Sequence, residues 1–257
     1  MEEKVRYKSF DGKEVEAFLV KGGDKAGIIV ISEIWGLTQF IQNVARRLAS
    51  LGYTSLAPNL YSREGDLFSP ENISGVMRRF FSIPPEKRGD QEFISRIVAE
   101  LNEREKRIYE TLVVNRASTE DRMLKDLEHG YNYLKSMGIS KYGVIGFCMG
   151  GGLSFQLSTQ LPFDATVVYY GRNPRSIEDI SRLKGPVLGI YAGEDSAINN
   201  GVPDMVRAMF QYGKELEMKI YPKTYHAFAT EGGPVYNEAA AKDAWDRTVR
   251  FFTRILG

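Results

Sequence analysis

A glycine-flanked cysteine follows a short apolar run near the middle of the chain. The run Val144-Ile145 leads directly into Gly146-Phe147-Cys148-Met149-Gly150. Glycines two residues to either side of the cysteine fit a backbone turn that is too tight for larger side chains. This is the form of a nucleophile elbow, in which a strand turns sharply into a helix and lifts one side chain out of the sheet. The segment therefore predicts a strand-turn-helix unit with Cys148 at its apex.

The elbow gives Cys148 a chemical setting as well as a position. Backbone N–H groups at the start of the following helix can hold a developing oxyanion, and sulfur stands where serine is commoner. The alternative is a packing cysteine, since free cysteine is among the most buried residue types. The flanking glycines favour a presented nucleophile.

Composition narrows the class of protein. The chain has 257 residues, of which 43% are hydrophobic and 26% charged, as in an ordinary soluble globular protein. A net charge of +1 gives no reason to expect nucleic acid or an anionic membrane as partner. The single cysteine excludes an intrachain disulfide, and no signal peptide or spanning segment is evident, so we expect a cytoplasmic protein.

Segments rich in Val, Ile and Tyr alternate with segments of helical period, which predicts an α/β fold with a mostly parallel sheet covered by helices on both faces. Asp11-Gly12 suggests an opening antiparallel hairpin. The predicted strands are Val5–Phe10, Val15–Val20, Gly27–Ile31, Thr54–Ala57, the run before Cys148, Ala165–Gly171, Pro186–Ala192 and Leu216–Tyr221.

Residues 62–118 interrupt this alternation, because they are polar, charged and contain several prolines. Apolar residues from Phe93 to Leu112 recur at helical spacing and predict one long amphipathic helix. Ser118-Thr119-Glu120-Asp121 resembles a capping box that opens the next helix. The inserted helices either form a lid over the site or pack at the periphery.

A catalytic thiol needs a base, and the chain has only two histidines. His129 lies inside a predicted helix, where a surface histidine is the ordinary explanation. His226 follows the strand Leu216–Tyr221 through a short loop, at the carboxyl edge where open α/β sheets bind ligands. We therefore favour His226, with a structural loop histidine as the alternative.

A carboxylate should orient the imidazole and stabilise its charged form. Asp195 stands just after the strand that ends at Ala192, and the adjacent Glu194 is the second candidate. The order Cys148, Asp195, His226 is that of nucleophile, acid and base in α/β-hydrolases. Glu33 also follows an apolar strand, and a carboxylate at the exit of a strand into an apolar pocket has a raised pKa and can accept a proton. Considered without the other motifs, Glu33 would be interpreted as an exposed loop residue.

Five motifs together resemble the dienelactone hydrolases, or carboxymethylenebutenolidases, of the α/β-hydrolase superfamily. The resemblance spans almost the whole chain and implies one α/β-hydrolase domain over residues 1–257, with 62–118 inserted. The motifs are Ser32-Glu33-Ile34-Trp35-Gly36, Gly146–Gly151 around Cys148, Tyr169-Tyr170-Gly171, Gly193-Glu194-Asp195 and His226-Ala227-Phe228.

The resemblance implies hydrolysis of an enol-lactone such as carboxymethylenebutenolide, which opens to maleylacetate. Cys148 would attack the carbonyl, Glu33 would help to activate the thiol, and His226, oriented by Asp195, would act as base and acid. The N–H groups of Met149 and Ile34 would form the oxyanion hole. No metal or organic cofactor is implied, and the partner would be a small lactone or ester.

Two departures concern substrate recognition. The family usually has an arginine soon after its His-x-Phe, whereas Ala229-Thr230-Glu231 follows here. The second substrate-binding arginine of the family falls in the region of the insertion, where Arg116 and Arg122 are the first candidates. The other arginine candidates are Arg78, Arg79 and Arg88. Trp35 and Tyr170 are further candidates for substrate contact. A different small ester or lactone therefore remains an alternative substrate.

Two other classes of function are alternatives. The glycines around Cys148 could suggest nucleotide binding, but no Gly-x-Gly-x-x-Gly occurs there and no acidic residue ends the next strand at Tyr170. A non-catalytic binding protein could share the fold, because fold alone does not fix function. The presence of nucleophile, acid and base together argues against it.

Overall fold

The computed structural model describes residues 1–87 and 89–257, and for Pro85 it describes the backbone only. The described residues form one eight-stranded sheet in the order β1-β2-β4-β3-β5-β6-β7-β8. Strand β2 runs antiparallel to its neighbours β1 and β4, and the six strands from β4 across to β8 run parallel to one another. The strands are β1 (Glu2–Lys8), β2 (Glu14–Lys21), β3 (Gly27–Ile31), β4 (Thr54–Pro58), β5 (Tyr142–Phe147), β6 (Ala165–Tyr169), β7 (Val187–Ala192) and β8 (Leu216–Tyr221).

Helices follow most strands and cover both faces of the sheet, which confirms the predicted α/β class. The α-helices are α1 (Gln39–Ser50), α2 (Pro70–Phe81), α3 (Gln91–Ala99), α4 (Glu103–Tyr109), α5 (Arg116–Ser136), α6 (Met149–Ser158), α7 (Ser196–Asn199), α8 (Val202–Gln211) and α9 (Glu238–Leu256). Shorter helical turns occupy Ser62–Phe68, Pro85–Lys87, Glu110–Val114 and Ile177–Arg182.

The central strands are buried on both faces, because helices pack above and below them. All five residues of β3 and all six of β5 are buried. Ile28 and Val30 pack in the cluster formed with α1 and α9, whereas Ile29 and Ile31 pack in the cluster formed with α5 and α2. This double covering explains the uninterrupted apolar runs in the sequence.

The prediction of one long helix from Phe93 to Leu112 was wrong. The chain breaks after α3 and restarts at α4, where Asn102 accepts a hydrogen bond from the Glu105 N–H and the Glu105 side chain accepts one from the Asn102 N–H. This reciprocal capping satisfies N–H groups that a continuous helix would bond internally. The apolar spacing persists across the break because Leu101 and Leu112 still face the core.

The predicted capping box at Ser118 was also wrong. Helix α5 begins two residues earlier, at Arg116, and the Ser118 hydroxyl donates back to the Asn115 carbonyl at 3.0 Å. Ser118 therefore lies inside the first turn, where its side chain bonds backward along the helix instead of capping it. No helix in the described part of the chain is long and apolar enough to cross a membrane.

Candidate active site

The elbow places Cys148 between β5 and α6 with φ 57° and ψ −117°. Both flanking glycines are required by close backbone contacts. A Cβ at Gly146 would lie 1.9 Å from the Gly150 carbonyl oxygen, and one at Gly150 would lie 2.4 Å from the carbonyl oxygens of Ile31 and Ser32. The positive φ of a residue other than glycine is strain of the kind that accumulates at functional sites.

Three side chains, one after each of β5, β7 and β8, meet at the carboxyl edge of the sheet. The His226 Nε2 atom lies 2.9 Å from the Cys148 sulfur, and His226 Nδ1 lies 2.5 Å from Asp195 Oδ2. Asp195 follows β7 and is buried, whereas His226 follows β8 and keeps part of its ring exposed. The arrangement joins carboxylate, imidazole and thiol in one hydrogen-bonded line.

The charge of His226 is set by this line. Burial of the ring acts to lower its pKa, but the hydrogen bonds with Asp195 and Cys148 outweigh burial and raise the pKa to about 10. The imidazole therefore holds a proton at neutral pH while it faces the sulfur. A protonated histidine beside cysteine is an arrangement that activates cysteine nucleophiles.

Glu33 lies behind the line of three residues, with 1% of its surface exposed. Its Oε1 accepts a hydrogen bond of 2.6 Å from the Thr230 hydroxyl, while its buried Oε2 has no partner among the described residues. Burial raises the pKa of Glu33, and the Thr230 hydrogen bond and the charge of His226 only partly oppose the rise. This carboxyl therefore keeps its proton to a higher pH than a surface glutamate.

Aromatic side chains surround His226 and the loop that follows β3. The fully buried Tyr170 packs against His226 with 5.1 Å between ring centroids and 56° between the ring planes, and its hydroxyl lies 3.5 Å from that of Thr230. Trp35 meets Phe81 edge to face at 5.6 Å. Since Phe81 ends α2, this contact brings the insertion to the loop after β3.

Two backbone N–H groups are free beside the elbow. Met149 is the first residue of α6, and Ile34 lies in the turn that follows β3. Neither N–H donates a hydrogen bond within the described residues. The Tyr61 hydroxyl donates to the Ile34 carbonyl at 2.9 Å and so fixes the turn that carries the Ile34 N–H.

The arginine candidates are mostly engaged elsewhere. Arg122 donates to the Leu60 carbonyl and to the buried carboxylate of Asp126. Asp126 also accepts a hydrogen bond from Arg63. Arg116 pairs with Glu120 at 2.7 Å. Among the described candidates none contacts Cys148, His226 or Glu33. Arg79 pairs with Glu105, Arg78 is exposed, and Arg88 lies outside the described residues.

The structure adds residues that the sequence did not single out. Arg172 donates to Glu120 at 2.9 Å, so it shares that carboxylate with Arg116, and both Arg172 and Glu120 line a cavity of about 160 Å³ that reaches Met149. The position of Arg172 just past the carboxyl end of β6 is the sequence signal that could have identified it. Phe81 gave no signal, because its contact with Trp35 joins distant parts of the chain.

Among the residues that the structure describes, the second histidine and the acidic residues offer no other site. His129 lies within α5, and it forms no hydrogen bond or ion pair with Cys148, Asp195 or Glu33. Within residues 1–87 and 89–257, no cluster of three or more His, Cys, Asp or Glu side chains could hold a metal ion.

The chain is similar to proteins of one known family. The sequence profile of the dienelactone hydrolase family matches residues 15–256. A protein of Saccharolobus solfataricus that bears the provisional name carboxymethylenebutenolidase is 48% identical over 256 residues, which are 99% of each chain. A Methylorubrum extorquens protein with the same provisional name is 30% identical, covering 92% of this chain and 74% of its own.

A solved structure gives the same result for the fold. The crystal structure of a Klebsiella pneumoniae protein, provisionally named a dienelactone hydrolase, superposes with a TM-score of 0.72 at 24% identity. The match covers 99% of this chain and 98% of that one. At this identity the similarity establishes the fold alone.

Proposed function

The chain belongs to the dienelactone hydrolase family, and from that premise we propose that it hydrolyses enol-lactones or small esters with Cys148, His226 and Asp195 as its catalytic triad. The family consists of hydrolases that act on small molecules. The observation that carries the proposal is the continuous line from Asp195 Oδ2 through both imidazole nitrogens to the Cys148 sulfur.

In the first half-reaction the Cys148 sulfur attacks the carbonyl carbon of the substrate and forms a tetrahedral oxyanion. The N–H groups of Met149 and Ile34 donate to that oxygen, and the amino end of α6 adds a favourable dipole. When the ester C–O bond breaks, protonated His226 gives its proton to the leaving oxygen. A thioester on Cys148 remains.

In the second half-reaction neutral His226 takes a proton from water, which attacks the thioester. The carbonyl oxygen again carries the developing charge, and the sulfur leaves as the acid product is released. Asp195 holds the imidazole in one orientation throughout and stabilises its charged form, because it is buried and bonded to Nδ1.

Glu33 supports activation of the thiol in this scheme. Its unpartnered Oε2 is buried beside the charge of His226 and accepts the thiol proton of Cys148 before the sulfur attacks. The proton returns to the sulfur when the thioester is cleaved. Thr230 acts as a positioning residue, because its hydroxyl fixes the other carboxylate oxygen. The two together supply a positioned proton acceptor beside the imidazolium of His226.

The surroundings of the triad favour uncharged substrates. No Lys or Arg side chain among the described residues forms a hydrogen bond or ion pair with Cys148, Glu33 or His226, and Arg116 and Arg172 both pair with Glu120. A substrate carboxylate would therefore gain little from the site. The second candidate is carboxymethylenebutenolide itself, which is favoured by the name of the relative that is 48% identical.

Residues 62–118 would then act as an inserted cover within one α/β-hydrolase domain. The contact of Phe81 with Trp35 supports this role, because Trp35 directly follows Ile34 of the proposed oxyanion hole. In this interpretation Trp35 gives the substrate an apolar boundary, whereas the fully buried Tyr170 contacts His226 and does not reach the substrate. Phe81, which is 52% exposed, forms the outer wall.

A matched pair of lactones tests the function and separates the two candidates. We expect the uncharged 5-methylene-butenolide to have a higher kcat/KM than its carboxymethylene counterpart, after correction for hydroxide hydrolysis. The expected ratio is about tenfold or more, since a carboxylate that loses its water without gaining a partner costs about 1–3 kcal/mol or more. A reversed ratio favours the carboxymethylenebutenolidase; hydrolysis of neither above the Cys148→Ala background rejects the proposal.

Thr230→Val is expected to lower kcat about tenfold and to move the acidic limb of the pH–rate profile to higher pH. The variant removes the hydrogen bond that lowers the pKa of buried Glu33, so this pKa rises further and the carboxylate forms later as pH increases. Thr230→Ser keeps the hydroxyl and should restore both kcat and the limb. A fall in kcat with an unmoved limb in Thr230→Val would assign Thr230 a purely structural role.

A further inference from the structure

The two edges of the sheet differ in character. At one edge, β1 carries charged side chains at five of its seven positions, a composition that discourages pairing with another strand. At the other edge, β8 reads Leu-Glu-Met-Lys-Ile-Tyr, and its Met218 and Ile220 are 39% and 41% exposed. No strand among the described residues pairs with the outer side of β8.

The hydrogen bonds to β7 determine which backbone groups of β8 face outward. The Val187 N–H donates to the Glu215 carbonyl at 3.0 Å, and the Gly193 N–H donates to the Tyr221 carbonyl at 2.8 Å. Backbone groups alternate between the two sides of a strand, so Glu217 and Lys219 also bond toward β7. Leu216, Met218 and Ile220 therefore present their N–H and C=O groups at the free edge.

Apolar side chains accompany these free groups. Leu216 packs with Met205 and Met209 of α8, so the outward-bonding residues share their face of the sheet with that helix. On the same helix Phe210 is 90% exposed and Val206 is 37% exposed. Phe210 is the most exposed aromatic residue among the large hydrophobic side chains of the described chain. We call the set of Val206, Phe210, Leu216, Met218 and Ile220 the β8 edge surface.

We propose that the β8 edge surface binds a second copy of this chain, with the two β8 strands antiparallel about a two-fold axis at Met218. Leu216 then lies opposite Ile220 of the second copy, and each of the three outward residues exchanges two backbone hydrogen bonds with its opposite. The sheet continues across the dimer, and the α8 helices bring Phe210 and Val206 toward the same interface.

Charge complementarity selects this occupant and this register. Pairing about Met218 places Glu217 opposite Lys219 of the second copy twice, at positions between the hydrogen-bonded pairs, where side chains lie closest. A two-fold axis at Glu217 would oppose two glutamates, and one at Lys219 would oppose two lysines. The strand is therefore complementary to itself in one register that also uses all the free backbone groups.

The prediction is a dimer in solution whose stability depends on this charge pair. Lys219→Glu places glutamates opposite each other twice and should raise the dissociation constant about tenfold, since like charges directly opposite are destabilising. The double variant Glu217→Lys with Lys219→Glu restores opposite charges and should restore the dimer. Sedimentation equilibrium over a hundredfold range of concentration measures all three proteins.

The controls make each outcome decisive. Lys4→Glu changes an exposed lysine on the opposite edge strand, and it should leave the dissociation constant unchanged. Thermal melts establish that each variant is folded, because Glu217 also pairs with Arg254. A monomeric parent protein, a Lys219→Glu dimer of unchanged affinity, or a double variant that stays as weak as Lys219→Glu would each overturn the proposal.

Discussion

Cys148→Ala is expected to reduce kcat/KM for p-nitrophenyl acetate and for the preferred lactone by a factor of about 10³ or more. Removal of one triad member in a cysteine or serine hydrolase leaves only the contribution of binding and the oxyanion hole. In this protein the sulfur is the atom that faces His226 Nε2 at 2.9 Å, and alanine cannot form the thioester. Steady-state kinetics of the purified variant measures the loss.

The protein offers an internal check on that loss. Cys148 is the only cysteine in the chain, so a thiol-alkylating reagent modifies one position, and inactivation should follow labelling with a stoichiometry of one. The alanine variant should melt near the temperature of the parent, because the side chain fills no large volume and the backbone turn is held by glycines. Turnover by Cys148→Ala at the parent's rate would refute the nucleophile assignment.

The sequence predicted the sheet because local pattern and global fold agree there. Apolar runs such as Gly27–Ile31 are buried on both faces, and Leu216–Tyr221 forms β8 with the predicted bounds. The arrangement of Cys148, Asp195 and His226 was also predictable, since each follows a strand and parallel strands bring their carboxyl ends to one edge. Strand order places three distant loops side by side.

The errors arose where contacts between distant segments decide the outcome. Apolar spacing from Phe93 to Leu112 predicts one helix, but this spacing carries no information about the cap at Asn102 that begins a new helix. Arg122 was a candidate for binding substrate, and the buried carboxylate of Asp126 holds it instead; that contact is invisible without the packing of α5. Thr230 appeared only as a departure from a motif, and its bond to Glu33 spans 197 positions of sequence.

His226→Ala is expected to lower kcat/KM about as much as Cys148→Ala, while His129→Ala leaves it unchanged. These are the only histidines in the chain, so the pair is a matched comparison of one side chain at two positions. The physical reason is that His226 alone reaches the sulfur and protonates the leaving oxygen. Equal kinetics in the two variants would exclude the proposed base.

The pH profile of the parent supplies the independent readout for His226. Its hydrogen bonds raise the pKa from 6.5 to about 10, so kcat/KM should hold through neutral pH and fall as pH rises through about 10, when the leaving oxygen loses its proton donor. The folded chain binds this proton more tightly than the unfolded chain does. The contribution of His226 to the free energy of unfolding is therefore complete below pH 6.5 and disappears as pH rises through about 10. The difference in melting temperature between the parent and His226→Ala should therefore narrow over that interval, whereas the difference for His129→Ala should not. A parent whose alkaline limb lies near pH 6.5 would show that Asp195 and Cys148 do not hold the imidazole in its charged form.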